Sequence, residues 1–424
     1  MGTRPEIIKV SPYIKLLEKK SEKFTLVDTG QHYDYEMSKI FYEELDLPKP
    51  DIVLQPSREE PHTQVGFILN ELTKLLAEKK PDMVYAQGDT NSVMAAAFAS
   101  QRNLIPFGHI EAGIRSFDYT MPEEINRRIA SICASLNFCP TDLAAQNLLM
   151  EGINPSRIEI TGNTIVDAVL QYVEKTKNVK DIHNNNIISS DEPYFVMTLH
   201  RPATVDNSDV LKQVLKALTK IPYKIVFPIH PRTRKRINQF NLSNYVQNTN
   251  IELKSPVGYF EFLALLQNSV GILTDSGGIQ EEAATFLIPC FTIRPNTERP
   301  EAILHGTNKL LNPFDQNFET KLLYNIDMLE ELKKKIKKSR NPFGDGKASE
   351  KILKSVLHHD KEGTLNLPIP DYTSRYPIYR LSDRKDNSTE IQIVFDNKGK
   401  IQTDTKQSSK IEKNYLIRDS LSLE

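Results

Sequence analysis

The chain of 424 residues is long enough for two ordinary domains, and 39% hydrophobic with 26% charged residues is the balance of a soluble enzyme. Its 54 Lys and Arg against 55 Asp and Glu give a net charge of -1, which argues against nucleic acid as a partner, because a duplex needs a basic face. No apolar run is long enough to span a bilayer, the start MGTRPEII lacks a signal pattern, and Cys133, Cys139 and Cys290 are too few for a disulfide framework, so a cytoplasmic, membrane-free protein with buried thiols is expected.

In chain order, short apolar runs alternate with longer amphipathic stretches. The strands expected are Phe24–Asp28, Met83–Ala86, Ile105–His109, Tyr194–Thr198, Lys224–Pro228, Val270–Leu273 and Pro289–Ile293. Helical periodicity lies between them, as in Val65–Lys80 and Val210–Lys220. Alternation of this kind implies an α/β fold, with parallel sheets covered on both faces. The polar, asparagine-rich stretch KTKNVKDIHNNNIISSDE interrupts it. The expected division is an N-terminal domain over 1–174, a linker over 175–192, a C-terminal domain over 193–345, a helix over 346–359 and a flexible extension over 360–424. Within the extension, EIQIVFDNKGKIQ alternates apolar and polar residues around Asn397-Lys398-Gly399, the pattern of a hairpin.

In open parallel sheets, ligands bind beyond the carboxyl ends of the strands. Polar residues gather at those ends here. MVYAQG leads to Asp89, IPFGH to Glu111, YFVMTL to His200, KIVFPI to His230 and VGILT to Asp275 and Ser276. Each alone reads as a turn former, a helix cap or a buried scaffold histidine. Their recurrence in both halves points to one shared cleft. Ser276-Gly277-Gly278 opens a helix, and glycines at a helix N-terminus let backbone amides reach an anion. The plainer reading is a serine cap with Glu281 and Glu282 near the positive helix end, worth about 0.3–1 kcal/mol. Arg4 in Gly2-Thr3-Arg4-Pro5 suits a bidentate phosphate contact. Glu123 and Glu124 follow Pro122 at a helix start, where adjacent side chains diverge and only one faces the cleft. The chain has no GxGxxG, no GxxxxGK[ST] and no metal-ligand spacing, so neither a dinucleotide cofactor nor a metal is expected.

Together, GTRPEIIK, TGQHYDYEM, QGDTNSV, HIEAGIRS, MPEEINRR, ITGNTIVDA, LHRPATVDN, LTDSGGIQEEA and TERPEA resemble the non-hydrolysing UDP-N-acetylglucosamine 2-epimerases, in order and at family spacing, over nearly all of residues 2–358. The resemblance implies a GT-B fold, two Rossmann-like domains whose parallel sheets face a central cleft. It implies a homodimer that needs no cofactor and supplies cell-surface polysaccharide precursors. It implies catalytic roles for Asp89, Glu111, Glu123 and His200. It implies substrate contacts for Arg4, Lys9, His230, Phe262 (at the uracil), Ser276, Gly277 and Gly278 (at the diphosphate), Glu282 (at the ribose) and Arg299.

Two departures from the family pattern bear on the fold and the substrate. The family's short apolar strand before GTRPE has no counterpart here, which leaves an expected gap in the first sheet beside Arg4. QHYDYEM is two residues longer than the QHxxM form and looks like relatives acting on other UDP-N-acetylated sugars. The chemistry implied is inversion at C2 of the sugar by elimination and re-addition of UDP, most simply from UDP-N-acetylglucosamine to UDP-N-acetylmannosamine. A GT-B glycosyltransferase and an inactive nucleotide-sugar-binding protein are the alternatives.

Overall fold

The computed structural model describes residues 1–31, 41–56, 61–176, 192–247 and 249–366, with the short strands 393–395 and 401–403. It divides into two compact units, Met1–Leu367 and Pro368–Glu424. In the second unit, Ile393–Phe395 pairs antiparallel with Ile401–Thr403, which is the hairpin expected around Asn397-Lys398-Gly399. The rest of the expected extension past residue 366, and most of the expected linker, lie outside the described residues.

The first unit has the GT-B architecture. Its N-terminal strands are β1 (Val27–Asp28), β2 (Ile52–Val53), β3 (Val84–Gln87), β4 (Phe107–Ile110), β5 (Leu136–Cys139) and β6 (Ile158–Ile160). Strands β3 to β6 form a parallel sheet in sequence order. Strands β1 and β2 form a separate parallel pair, and among the described residues no ladder joins β1 to β3. Met1 stands at the edge of β1. Its ammonium donates to the Val27 carbonyl at 2.9 Å, and its own carbonyl accepts from Thr29 N–H at 2.7 Å. That alternation is the spacing of a parallel pair.

The C-terminal sheet contains β7 (Tyr194–Thr198), β8 (Lys224–Pro228), β9 (Ile251–Lys254), β10 (Gly271–Thr274), β11 (Cys290–Ile293) and β12 (Asn308–Leu311). All six are parallel, in the order β12-β11-β10-β7-β8-β9. The order reverses direction at β7–β10, which is where open sheets of this type hold their ligands. Strands β2, β5, β6, β9 and β12 were not among the sequence expectations. Cys139 and Cys290 are buried, and burial pushes each thiol up to about 12, whereas Cys133 is only half-buried.

Proline places several cleft residues. The helices Pro122–Cys133, Pro202–Val205, Pro231–Gln239 and Pro300–Leu304 each begin with proline. A proline ring pre-sets the first helical φ and keeps the preceding residue out of the helix. Arg201, His230 and Arg299 are those preceding residues in the C-terminal sheet, so each is left at the strand–helix junction above its strand.

Two large cores do most to hold the unit together. One packs Ile7, Tyr13 and Ile14 of the helix Arg4–Lys19 against Ile110, Phe138, Ile165 and Val169. Ile352, Leu353 and Val356 of the helix Ala348–Lys361 join it, so that C-terminal helix is anchored on the N-terminal sheet. The other core fills the C-terminal sheet with Phe195, Met197, Leu211, Val214, Phe227 and Phe291. The domains also touch through aromatic rings. Tyr172 donates to Ser11 Oγ at 2.9 Å and meets the rings of Tyr259 and Phe260 at 6.4 and 5.5 Å.

The anchored helix has an unusual cap. Its first amides, Ala348 N–H and Ser349 N–H, donate to the carboxylate of Asp167 at 3.0 and 2.7 Å, from another helix. Asp167→Ala is therefore expected to cost roughly 0.5–2 kcal/mol, the usual worth of a cap, with Asp167→Asn costing less. Denaturant unfolding measures the difference. Equal midpoints for all three proteins would remove the cap from the account.

Candidate active site

The centre of the cleft is a buried quartet of charges. Lys9 sits on the buried face of the helix Arg4–Lys19 and donates to both oxygens of Glu111, at 2.8 and 2.7 Å. Arg299 reaches Glu111 from the opposite domain through Nη2 at 2.7 Å, and holds Glu281 through Nε at 2.5 Å. Lys9 Nζ lies 3.3 Å from Glu281, which closes the ring. Gln87 Nε2 adds a further donor to Glu111, and Asn163 Nδ2 donates to Glu281 at 2.8 Å. Two cations thus face two carboxylates, the arrangement in which buried charge is tolerated.

Local backbone aims Glu111 into this ring. It directly follows β4 and has φ +68, a left-handed conformation that costs a non-glycine residue roughly 1–3 kcal/mol. Such outliers persist where the surroundings over-determine them, and the four donor contacts do so here. Burial pushes the Glu111 carboxyl up, but Lys9 and Arg299 outweigh it and hold the group below the ordinary range. Burial raises Glu281 in turn, against the pull of Arg299 and Lys9. Burial by itself would lower Lys9, yet Glu111 and Glu281 reverse that, and Lys9 ends above its ordinary value.

Asp89 belongs to a neighbouring network on the same sheet edge. Arg127 pairs with its carboxylate, and Asn126 Nδ2 donates to its carbonyl at 3.0 Å. Buried His109 bonds the Gly88 carbonyl through Nε2 at 2.8 Å, and its burial lowers it to about 4, so it stays neutral. Of the glutamate pair, Glu124 is buried: it accepts from Ser116 N–H at 2.9 Å and pairs with Arg127 and Arg128 at 3.2 Å. Glu123 is exposed in the same helical turn. Glu124 is therefore the structural member of the pair.

The second sheet contributes the histidines and the glycine loop. Asp275, fully buried at the end of β10, accepts from the His200 and Arg201 amides at 2.8 and 2.6 Å and pairs with His200 Nδ1 at 2.9 Å. The His200 and His230 rings lie 5.7 Å apart. The His230 Nδ1 accepts from Arg232 N–H at 3.2 Å, which makes His230 a helix cap. Ser276 caps the helix Gly277–Phe286 by position, yet its side chain makes no capping bond. The first amides of that helix are therefore unclaimed by the serine, as an anion site requires.

The two glycines have different reasons. A Cβ on Gly277 would lie 2.5 Å from Glu298, whereas one on Gly278 would meet nothing within 4 Å. Glu298 in turn gathers Arg294 at 2.7 Å and Arg201 at 3.3 Å, and these cations with Arg299 hold its carboxyl far below normal despite burial.

The structure joins Lys9, Glu111 and Arg299 directly. It places Arg4 near Glu282, with the Arg4 guanidinium also 4.6 Å over the Phe41 ring. Phe262 is half-buried against Tyr194, Val196 and Leu265, in an apolar cluster of its own. TGQHYDYEM falls mostly outside the described residues. Sequence reasoning passed over Glu281, Asn163, Arg127 and Gln87 as members of the charged networks. Asn163 and Gln87 carry the same strand-end signal as Asp89, since they follow or end β6 and β3.

Burial raises Glu282 to about 7 from an ordinary 4.5, although Arg4 opposes the shift. A folded-state value above the unfolded one favours folding fully below pH 4.5, and the advantage is lost as the pH rises through 7. Glu282→Gln stays neutral throughout. Relative to the unaltered protein, it is expected to gain about 3 kcal/mol of stability between pH 4.5 and pH 8, an order-of-magnitude figure. Unfolding midpoints across that range measure the gain. A difference that stays constant with pH would contradict it.

Comparison with known proteins agrees with this geometry. The family model described as UDP-N-acetylglucosamine 2-epimerase matches residues 15–357. A UDP-N-acetylglucosamine 2-epimerase of Methanocaldococcus jannaschii is 45% identical over 366 residues, 84% of this chain and 98% of the relative. The crystal structure of the Methanocaldococcus jannaschii UDP-GlcNAc 2-epimerase in complex with UDP-GlcNAc and UDP superimposes with a TM-score of 0.75 at 43% identity, covering 84% of this chain and 98% of that one. The UDP-GlcNAc 2-epimerase from Neisseria meningitidis bound to UDP-GlcNAc gives a TM-score of 0.77 at 34% identity, covering 84% and 98%. Sequence motifs, two facing parallel sheets and these likenesses lead to one statement: the chain belongs to the UDP-N-acetylglucosamine 2-epimerase family.

Proposed function

We propose that this chain inverts C2 of UDP-N-acetylglucosamine to give UDP-N-acetylmannosamine, a precursor for cell-surface polysaccharide. The C2 hydrogen has no neighbouring carbonyl and is not acidic. The reading therefore couples its removal to loss of UDP. The C2–H and C1–O bonds break, the C1=C2 bond forms, and UDP leaves with the electron pair. A carboxylate takes the proton. Protonation from the other face and return of UDP to C1 complete the inversion, with no net change of redox state.

One observation supports this most. The Arg299 guanidinium that bonds Glu111 at 2.7 Å also lies 4.0 Å from where a Cβ on Gly277 would stand. One cation thus borders both the carboxylate and Gly277 of the glycine loop. Charge developing on a departing diphosphate and charge leaving a base are then handled by one preorganised group. In this reading Asp89, Glu111 and Glu123 supply acid and base groups around C2, and His200 assists departure. Arg4, Lys9, His230, Arg299, Ser276 and the amides of Gly277 and Gly278 hold the anion. Glu282 takes the ribose and Phe262 the uracil. A glycosyltransferase would need an acceptor site and no such carboxylates.

The reading includes a homodimer. Phe98, Ile125 and Ile132 stand exposed on the neighbouring helices Asn91–Arg102 and Pro122–Cys133, and apolar side chains grouped on helix faces favour burial against a partner. Ile125→Lys with Ile132→Lys is expected to halve the mass seen by light scattering. An unchanged mass would remove these helices from the interface.

Turnover in heavy water is expected to place deuterium at C2 of the product. Asp89→Asn, Glu111→Gln and Glu123→Gln should each lower the rate on the order of 10²-fold or more, the scale for a lost acid or base, with UDP affinity largely kept. Arg4→Ala should weaken UDP binding instead. Epimer without C2 deuterium would overturn the elimination, and no epimer from any UDP-N-acetylated sugar would favour the transferase or binding-protein readings.

A further inference from the structure

Glu281 is the one member of the central quartet with no place in the chemistry proposed above. It is fully buried. Its contacts divide by domain. Arg299 comes from its own side of the cleft, while Lys9 at 3.3 Å and Asn163 at 2.8 Å come from the N-terminal side. A buried carboxylate with donors from both sides is satisfied only when the sides meet, because separation would strand its charge. Glu281 also rides on the helix Gly277–Phe286, one turn beyond the amides of the glycine loop. Whatever anchors that N-terminus fixes the position of Glu281 as a rigid consequence of helix geometry.

We propose that Glu281 is a positioning residue, a latch that couples capture of the diphosphate to closure of the cleft around Glu111. It touches no substrate atom in this account. It acts by drawing Lys9 and Asn163 toward Arg299, which seats Glu111 between its two cations and keeps the elimination intermediate inside. The inference rests on the elimination chemistry. During each turnover the unsaturated sugar and UDP are no longer joined to each other or to the protein by a covalent bond, so retention depends on non-covalent contacts and, for the sugar above all, on closure.

The test follows that point. Unaltered enzyme, Glu281→Gln and Asn163→Asp are each given UDP-N-acetylglucosamine. Free UDP and the free unsaturated sugar are counted against epimer formed, and UDP affinity is measured by calorimetry. Asn163→Asp keeps an acceptor for its 3.2 Å bond from Ile165 N–H and turns the Glu281 contact into a repulsion. Both variants are expected to lose on the order of 10- to 10²-fold in kcat, the scale of misplacing a reacting group by about 1 Å. Both should bind UDP within roughly threefold of the unaltered enzyme and release roughly tenfold more free UDP per epimer formed. A merely structural defect lowers kcat without changing that ratio.

An unchanged ratio in a folded variant with normal UDP affinity overturns the latch. If Glu281→Gln fails to fold, Asn163→Asp decides alone by the same ratio. Failure of the underlying chemistry is separate and visible in the unaltered enzyme, as epimer formed without deuterium at C2.

Discussion

The rest of the site depends on a single constraint: four charges, Lys9, Glu111, Glu281 and Arg299, are buried together where two domains meet. Removing any one partner leaves an uncompensated charge in a low-dielectric setting, a loss of about 3–5 kcal/mol in comparable buried pairs. The quartet therefore specifies more than it stabilises. Apolar replacements of the same volume would pack well enough. They would not hold a carboxylate in its ionised form against the desolvation that surrounds it.

Much of the local architecture reads as a means of delivering those four groups. Lys9 comes from the first helix, Glu111 from the end of β4 in a left-handed conformation, and Arg299 from the residue before a helix-starting proline. Glu281 comes from the helix that opens with the glycine loop. Parallel sheets place all strand ends on one side, so two such sheets facing each other concentrate helix N-termini and side chains in the cleft. The C-terminal helix, capped by Asp167, fixes the far end of the chain on the N-terminal sheet. The two halves are thereby linked by chain crossing as well as by charge.

The sequence makes this legible in part, for physical reasons that differ by residue. Strands buried on both faces, such as Tyr194–Thr198 and Lys224–Pro228, show as apolar runs at their observed bounds. Ile158–Ile160 does not, because its IEI pattern is that of a sheet edge with partly exposed side chains. Ile52–Val53 is too short for any periodicity to register. The strand-end rule finds Asp89, Glu111, His200 and His230 because it follows from topology. It does not find Glu281, whose partners lie 118 residues upstream at Asn163 and on the first helix. Pattern along a chain carries no information about a contact across a cleft. Likewise Pro122 announces a helix start, but only packing separates exposed Glu123 from Glu124, which Ser116 and Arg127 claim.

One helix explains why adjacent glutamates have different tasks. Glu281 and Glu282 stand about 100° apart around the axis of Gly277–Phe286, so their main partners differ. Glu281 meets Lys9, Arg299 and Asn163, a set rich enough to offset burial in large part. Glu282 has Arg4 and the Tyr259 hydroxyl nearby and is left at about 7, poised between its two forms. On the proposed function, two adjacent hydroxyl groups of a ligand would donate to the ionised form of that carboxyl and offset its burial. The first turn of the same helix has amides that the Ser276 side chain does not cap. A ligand with a diphosphate joined to a diol would satisfy both needs at a spacing of one helical turn, and in doing so would press Glu281 toward the opposite domain. On the proposed function, recognition of the nucleotide and assembly of the charged centre would then be two results of seating one rigid element.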